Sequence, residues 1–403
     1  MLRESLARLL LSSPGPETDA PAGAIARAGD WEQCVRLANS WGALPRLQHW
    51  MEAAPTPPPV EARALASRLF TDGYVRSLLE ARRGVEVLGR FQAASLPALA
   101  FKGLASLATL YSDPKQRVIL DVDVLIGEAD LTRAASLLGT LGFHPAVPCD
   151  LADYVRFVRS APGFGGNEEL PFHNARGNTI DLHWRLGDGF DPQEILVQSM
   201  PASLFGKEIP TVSPRYGLLL CVHHALRNHF SPDKIMRDLF DLELWCDKLN
   251  QAGSLDEAFD EAARRGLAAP LLAMAGILAE YDGGCAMCGA VARWRQRTAP
   301  RHLNAASQLR ALFTLQLREG QMEREVLYLF RPGELRQILA GLFFGGRRHL
   351  EISRSMDDSL AGEPVPASRR LWTLLRALCR LRPRHLGMLR SLARAKDDFA
   401  HRA

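Results

Sequence analysis

The sequence predicts an α+β protein in which a small mixed sheet is flanked by N-terminal helices and followed by a large helical C-terminal half. Three observations predict it. Between Asp30 and Met51, apolar residues recur three and four apart (Trp31, Cys34, Val35, Leu37, Ala38, Trp41, Leu44, Leu47), which is helical spacing. From Leu96 the pattern changes to strand, helix, strand, helix. After Pro214 helical periodicity returns and runs nearly to the end. The boundaries this implies are an N-terminal helical segment at 1–95, an α/β core at 96–208, a helical domain at 209–330 and a basic helical tail at 331–403.

Taken in order, Met1 to Ser13 has the Leu run of a secretory leader, but Glu4 and Arg8 interrupt it, so an amphipathic helix is expected instead. Asp30 is placed to cap the next helix. The Ala53 to Val60 stretch (AAPTPPPV) cannot continue a helix, because proline lacks the amide donor, and a long helix over Glu61 to Ala94 follows it. LPALAFKG then reads as a strand, SLATLYSD as a helix, Asp113 and Pro114 as a turn, and VILDVDVLI (Val118 to Ile126) as a buried strand. ADLTRAASLLGTLGF is helical. GFGGNEELPFHNARGN reads as a loop containing a short strand, and Thr179 to Leu186 (TIDLHWRL) as a second clear strand. Helix breaks are expected at Ser231 and Pro232, Asp282 to Gly284, Arg331 to Gly333 and Gly362 to Pro366.

With 403 residues, 47% of them hydrophobic, the chain is long enough for real cores, which excludes a disordered tail or a disulfide-stapled mini-protein. Seven widely scattered cysteines point to a reducing, cytoplasmic setting, and no apolar run is long enough for a transmembrane segment. The formal charge of +4 conceals an asymmetry: residues 331–403 carry 15 Lys and Arg against 7 Asp and Glu, and the remainder is mildly acidic.

Asp121 and Asp123 interrupt an otherwise apolar strand, and carboxylates are rarely desolvated without compensation. Residues two apart on a strand share a face, so both carboxylates are expected to project together, about 7 Å apart at the backbone. Asp181, alternating with Ile180 and Leu182, offers a third. Three carboxylates on neighbouring strands suit Mg²⁺ held by oxygen ligands and substrate phosphates. Lys102 and Gly103 end a strand and open a helix, which brings an ammonium, a flexible backbone and helix N-terminal amides to one place, as anionic phosphate requires. Arg117 adds a fork of donors toward phosphate or, equally, pairs with a carboxylate. His183 and Arg185 extend the face of Asp181.

The segments FKG (Phe101 to Gly103), LYSDPKQR (Leu110 to Arg117), LDVDVLI (Leu120 to Ile126), LGF (Leu141 to Phe143) and IDLHWRL (Ile180 to Leu186) resemble the nucleotidyltransferases of the DNA polymerase beta superfamily. The likeness is in particular to the uncharacterised bacterial nucleotidyltransferase family with a lysine-glycine motif. Through DWEQCVRLA, CVHHALRNHF and MRDLFDLELW it extends over roughly Asp30 to Tyr281. It implies a polymerase-beta-like core and a metal-binding, catalytic triad at Asp121, Asp123 and Asp181. It implies a nucleotide-binding motif at Lys102 and Gly103, where much of the superfamily has Gly-Ser. The implied cofactor is two Mg²⁺ ions, with Mn²⁺ as the alternative. The implied activity moves a nucleoside monophosphate from a triphosphate, ATP among the candidates, to an unidentified small-molecule, peptide or protein acceptor, with nucleic acid less favoured.

Plainer readings compete. Asp121 and Asp123 could end a strand paired with Arg117 or Arg185, His183 could be a hydrogen-bonded structural histidine, and Lys102 could be a counter-charge for the carboxylates. His223, His224 and His229 are expected to pack, and Asp238 and Asp241 to be solvated or paired. Cys285-Ala-Met-Cys288 has no second Cys or His pair beside it to complete a zinc site. The tail, with Arg369, Arg370, Arg376, Arg380, Arg382, Arg384, Arg390 and Arg394 interleaved with Leu and Trp372, reads as a basic amphipathic helix pair. Packing on the acidic body is preferred there over RNA or anionic lipid. The alternative functions are an inactive nucleotide-binding or scaffold protein and an RNA-modifying nucleotidyltransferase.

Overall fold

The computed structural model describes residues 2–12, 21–26, 29–54, 56–146, 151–160, 169–186, 189–281, 287–319 and 383–400. The chain opens with α1 (Leu2–Leu11), whose Leu6, Ala7, Leu9, Leu10 and Leu11 are buried, as an amphipathic helix requires. The expected single helix from Asp30 to Met51 is two, α2 (Trp31–Ser40) and α3 (Leu44–Ala53). Gly42 at φ +64 makes the turn between them, and the chain folds back so that Trp31 stacks on Trp50 at 5.7 Å. Asp30 holds the N-cap position of α2 without a side-chain cap bond. Beyond Pro57, Pro58 and Pro59, α4 (Val60–Ala93) runs for 34 residues.

The sheet has seven strands: β1 (Ala98–Ala100), β2 (Val122–Ile126), β3 (Phe143–Pro145), β4 (Glu169–Asn174), β5 (Thr179–His183), β6 (Met200–Leu204) and β7 (Lys207–Thr211). Their order is β3-β4-β5-β2-β1-β7-β6. It is mixed: β2 with β5 and β1 with β7 are parallel, and the other pairs are antiparallel. Between strands lie α5 (Lys102–Leu110), α6 (Leu131–Thr140), α7 (Leu151–Ser160) and α8 (Pro192–Val197). All five residues of β2 are buried, Asp123 included. Gly84 lets α4 lie directly on this strand, since a Cβ there would stand 2.5 Å from Leu104 and 3.0 Å from Val122. The β6–β7 hairpin was not foreseen from the sequence. Its two-residue turn, Phe205 and Gly206, has both φ values positive, the geometry that matches strand twist in tight hairpins.

The helical half comprises α9 (Pro214–Arg227), α10 (Pro232–Gln251), α11 (Leu255–Arg264), α12 (Ala268–Tyr281), α13 (Met287–Arg297), α14 (Pro300–Glu319) and α15 (Pro383–Ala400). The break at Ser231 and Pro232 falls between α9 and α10 as expected. Helix α15 packs on α14 and α9 through Met388, Leu389, Leu392 and Ala395, and leaves Arg390 and Arg394 exposed. The rest of the basic tail, from Arg369 to Arg382 with Trp372, lies outside the described residues, as do the expected breaks at 282–284, 331–333 and 362–366 and the Cys285 end of the Cys285 to Cys288 motif, whose Cys288 falls in α13. No helix among the described residues is long and apolar enough to cross a membrane.

Candidate functional site

Strand β2 begins at Val122, four residues later than the sequence suggests. Asp121 therefore stands in the bend just before the strand, half-buried, rather than within it, and the exposed Leu120 beside it shows why: an edge-of-strand position need not be apolar on both sides. Asp123 stays inside the strand and is 2% exposed. The parallel pairing of β2 with β5 puts Asp123 directly opposite Asp181 and Leu125 opposite His183. In a parallel pair, opposed residues share a face, so the two carboxylates lie side by side and His183 is the diagonal neighbour of Asp123.

Two donors meet on one oxygen of Asp123. Lys102 donates from Nζ to Oδ1 at 2.5 Å, and His183 Nε2 stands 2.9 Å from the same atom. The carboxylate only accepts, so His183 carries its proton on Nε2, leaving a buried Nδ1 with no partner among the described residues. Burial, aided by the charges of Lys102 and Arg227, holds His183 well below its ordinary range, and the ring is neutral. Burial alone would lower the Lys102 ammonium, but Asp123, Glu169 and Asp121 together hold it above its ordinary value. Lys102 reaches this position from a left-handed backbone, φ +48, at the first residue of α5. Such a conformation costs a non-glycine residue roughly 1–2 kcal/mol. Gly103 follows it against Ile119, whose Cγ2 would lie 3.0 Å from a Cβ at 103.

Glu169 is the residue that the sequence did not reveal. It begins β4, opposite His183, with Oε2 3.3 Å from His183 Nε2 and 4.0 Å from Lys102 Nζ. Its signal was the alternation of buried Leu170 and Phe172 with outward Glu169, Pro171 and His173, and the proline disguised it. Asp181 has no hydrogen-bond partner among the described residues. Its burial, reinforced by the fields of Asp123, Glu169 and Asp121 and only partly offset by Lys102, pushes its carboxyl up to about 8. Crowding among carboxylates thus adds to burial in the same direction.

The compact metal-sized grouping among the described residues is Asp123, Glu169 and His183, whose ligand atoms all lie within 4.8 Å of one another. It shares only Asp123 with the expected triad. Lys102 and His183 both hydrogen-bond Asp123 and both stand within 4.0 Å of Glu169, while Asp121 and Asp181 make no hydrogen bond among the described residues. Four carboxylates facing one ammonium still form a hard-oxygen donor set with excess negative charge, and that chemistry fits a divalent cation.

Arg117 takes the second of its two anticipated roles. Its guanidinium forks onto Asp241 of α10 at 2.9 Å from both Nε and Nη2, and Nη1 donates to the Val118 carbonyl at 2.5 Å. Tyr111 donates to the same carboxylate at 2.8 Å. All its donor groups are thus engaged within the protein, away from phosphate, and Asp241 is a buried partner rather than a solvated helix-face charge. Asp238 is likewise paired, with His224 Nδ1 at 2.6 Å. His223 is buried against Phe190. Arg185, just past the end of β5, is partly exposed and makes no ion pair or hydrogen bond among the described residues.

One family model matches, that of an uncharacterised nucleotidyltransferase, over residues 27–282. No curated protein matches the chain.

Proposed function

This chain belongs to that uncharacterised nucleotidyltransferase family, and on that premise we propose that it transfers a nucleoside monophosphate from a nucleoside triphosphate to an acceptor hydroxyl in a Mg²⁺-dependent, polymerase-beta-like site. One observation carries the reading: Asp123 and Asp181 stand in register on adjacent parallel strands, with Asp121 at the strand entrance and Lys102 at a helix N-terminus beside them. Asp121, Asp123 and Asp181 would hold the metal, with Glu169 beside them. Bound there, Mg²⁺ supplies charge stabilisation to the phosphates and lowers the pKa of the acceptor hydroxyl.

The remaining work falls to the chain's own groups. The acceptor hydroxyl releases its proton to bulk water as its oxygen forms a bond to the α-phosphorus, the bond to the bridging oxygen breaks, and pyrophosphate leaves with the electron pair. Lys102, held above its ordinary pKa, stays charged throughout and neutralises negative charge on the phosphates. Neutral His183 fixes the orientation of Asp123 without adding charge. Arg117, through Asp241, ties the loop before β2 to α10 and so sets the position of Asp121.

The test is to incubate the protein with each labelled triphosphate, Mg²⁺ and cell extract, following pyrophosphate release and label transfer. Both are expected in the wild type and lost in Asp123→Asn; release that persists in that variant would sink the assignment. A second reading, a nucleotide-binding protein without turnover, is favoured by one feature. The Oδ1 of Asp123 is already taken by Lys102 and His183. It predicts triphosphate binding with no pyrophosphate release under any acceptor.

A further inference from the structure

His183 Nε2 faces two carboxylate oxygens and has one proton to give them: Asp123 Oδ1 stands at 2.9 Å and Glu169 Oε2 at 3.3 Å. The three side chains come from neighbouring strands, Asp123 from β2, His183 from β5 and Glu169 from β4, and β5 pairs with both of the others. Asp123 and His183 are buried while the side chain of Glu169 is 40% exposed, so the trio has fixed donors on its inner side and an entrance on its outer one. Phe101 meets the His183 ring at right angles, with centroids 4.6 Å apart, and fixes its plane.

These spacings are those of a coordination sphere. Ligand atoms about 2.1 Å from a common ion lie about 3.0 Å apart at right angles and about 3.4 Å apart at the tetrahedral angle. A purely structural histidine would satisfy both ring nitrogens, whereas Nδ1 of His183 is buried with no partner among the described residues. A cation already rests against the same oxygens: Lys102 Nζ is 2.5 Å from Asp123 Oδ1 and 4.0 Å from Glu169 Oε2. Donor identity selects the ion. Mg²⁺ prefers an octahedral shell of oxygens, while an imidazole nitrogen beside two carboxylates suits a divalent first-row transition ion.

Resting on the nucleotidyl-transfer reading for the companion Mg²⁺ at Asp121, Asp123 and Asp181, we propose that Asp123, Glu169 and His183 form a second ion position, which takes a divalent first-row transition ion in preference to Mg²⁺ through His183 Nε2. The ion replaces the Nε2 proton, which passes to Nδ1, where no hydrogen bond among the described residues is broken to receive it. It also takes over the contact of Lys102 with Oδ1 and frees the ammonium for the phosphates.

The experiment titrates the full chain with Mn²⁺ in excess Mg²⁺, reads bound ion by electron paramagnetic resonance on protein carrying isotope-labelled histidine, and measures triphosphate binding on the same samples. The wild type should bind Mn²⁺ with a histidine nitrogen coupling that shifts with the label. His183→Asn, which keeps a donor for Asp123, should abolish the coupling, weaken Mn²⁺ by about tenfold or more and leave Mg²⁺ affinity within about twofold. Glu169→Gln should weaken Mn²⁺ by about tenfold and keep the coupling of what still binds, and it carries the test if His183→Asn does not fold. Failure to bind Mn²⁺, Mn²⁺ bound without histidine coupling, coupling that survives in His183→Asn, or Mn²⁺ displaced by equimolar Mg²⁺ overturns this inference and leaves the nucleotidyl-transfer reading standing. A chain that shows the coupling yet binds no triphosphate sustains the ion position and overturns the nucleotidyl-transfer reading.

Discussion

The carboxyl of Asp181 gives the site a measurable pH signature. Its folded-state value of about 8 lies far above that of an exposed aspartate, because burial and the fields of Asp123, Glu169 and Asp121 oppose its ionisation. The sign follows from proton counting. Below about pH 4 both folded and unfolded chains hold this proton; between about 4 and 8 only the folded chain does. Stability from this group is therefore complete at the acid end and is lost as pH rises toward the folded value, by about 1.4 kcal/mol per pH unit. Asp181→Asn mimics the protonated carboxyl and cannot titrate, so its advantage over the wild type should grow by about 3 kcal/mol from pH ~5 to pH ~7. Urea denaturation of both proteins in chelator, at half-unit pH steps, reads the difference directly. Parallel stability profiles across that window would refute the reasoning, because they would mean that Asp181 ionises freely and is not crowded by its neighbours.

Four further outcomes are expected. Lys102→Ala strips a largely buried partner from a buried carboxylate and should cost about 1–3 kcal/mol in ligand-free stability, while also weakening triphosphate binding; a destabilised protein with unchanged affinity would remove Lys102 from the phosphate site. Arg117→Met or Asp241→Leu alone should each cost about 3–5 kcal/mol, and the double variant much less than the two together; additive losses in urea unfolding would contradict a coupled pair. Gly84→Val should destabilise by about 2–3 kcal/mol, since α4 cannot back away from Leu104 and Val122 without opening the core, and an unchanged melting temperature would contradict that packing. Glu169→Gln should weaken Mg²⁺-dependent nucleotide binding with little effect on folding, and unchanged metal dependence would place Glu169 outside the site.

The fold was legible where one physical signal dominated. Val122 to Ile126 and Thr179 to His183 are buried, β-branched or leucine-rich runs, and both became strands. The long α4 followed its proline stop and its helical period. The losses occurred where short elements carry mixed signals. β7 contains Pro210 and β6 begins with Met-Pro, so both look like loop by composition even though the sheet accepts proline where its missing amide faces no partner, whereas the short strand expected within GFGGNEELPFHNARGN is β4. The split of the Asp30 to Met51 helix turned on a single glycine, because Gly42 reverses the chain without disturbing an apolar spacing that continues on both sides of it.

At the site, chemistry was legible and partnership was not. Asp121, Asp123 and Asp181 stood out because ionised groups inside apolar strands need compensation, and the sequence contains several cations able to supply it. Which cation serves which carboxylate depends on contacts across long separations. Arg117 is four residues from Asp121 but meets Asp241, 124 positions later; Lys102 meets Asp123 from another element. This division decides what the centre can do. Had Arg117 paired with Asp121, the strand entrance would be neutral and closed, and Asp241 would be an uncompensated buried charge. Because Asp241 takes Arg117 into the helical half, Asp121 and Asp181 remain without hydrogen-bond partners among the described residues, and their oxygens are left for the cation of the proposed reaction.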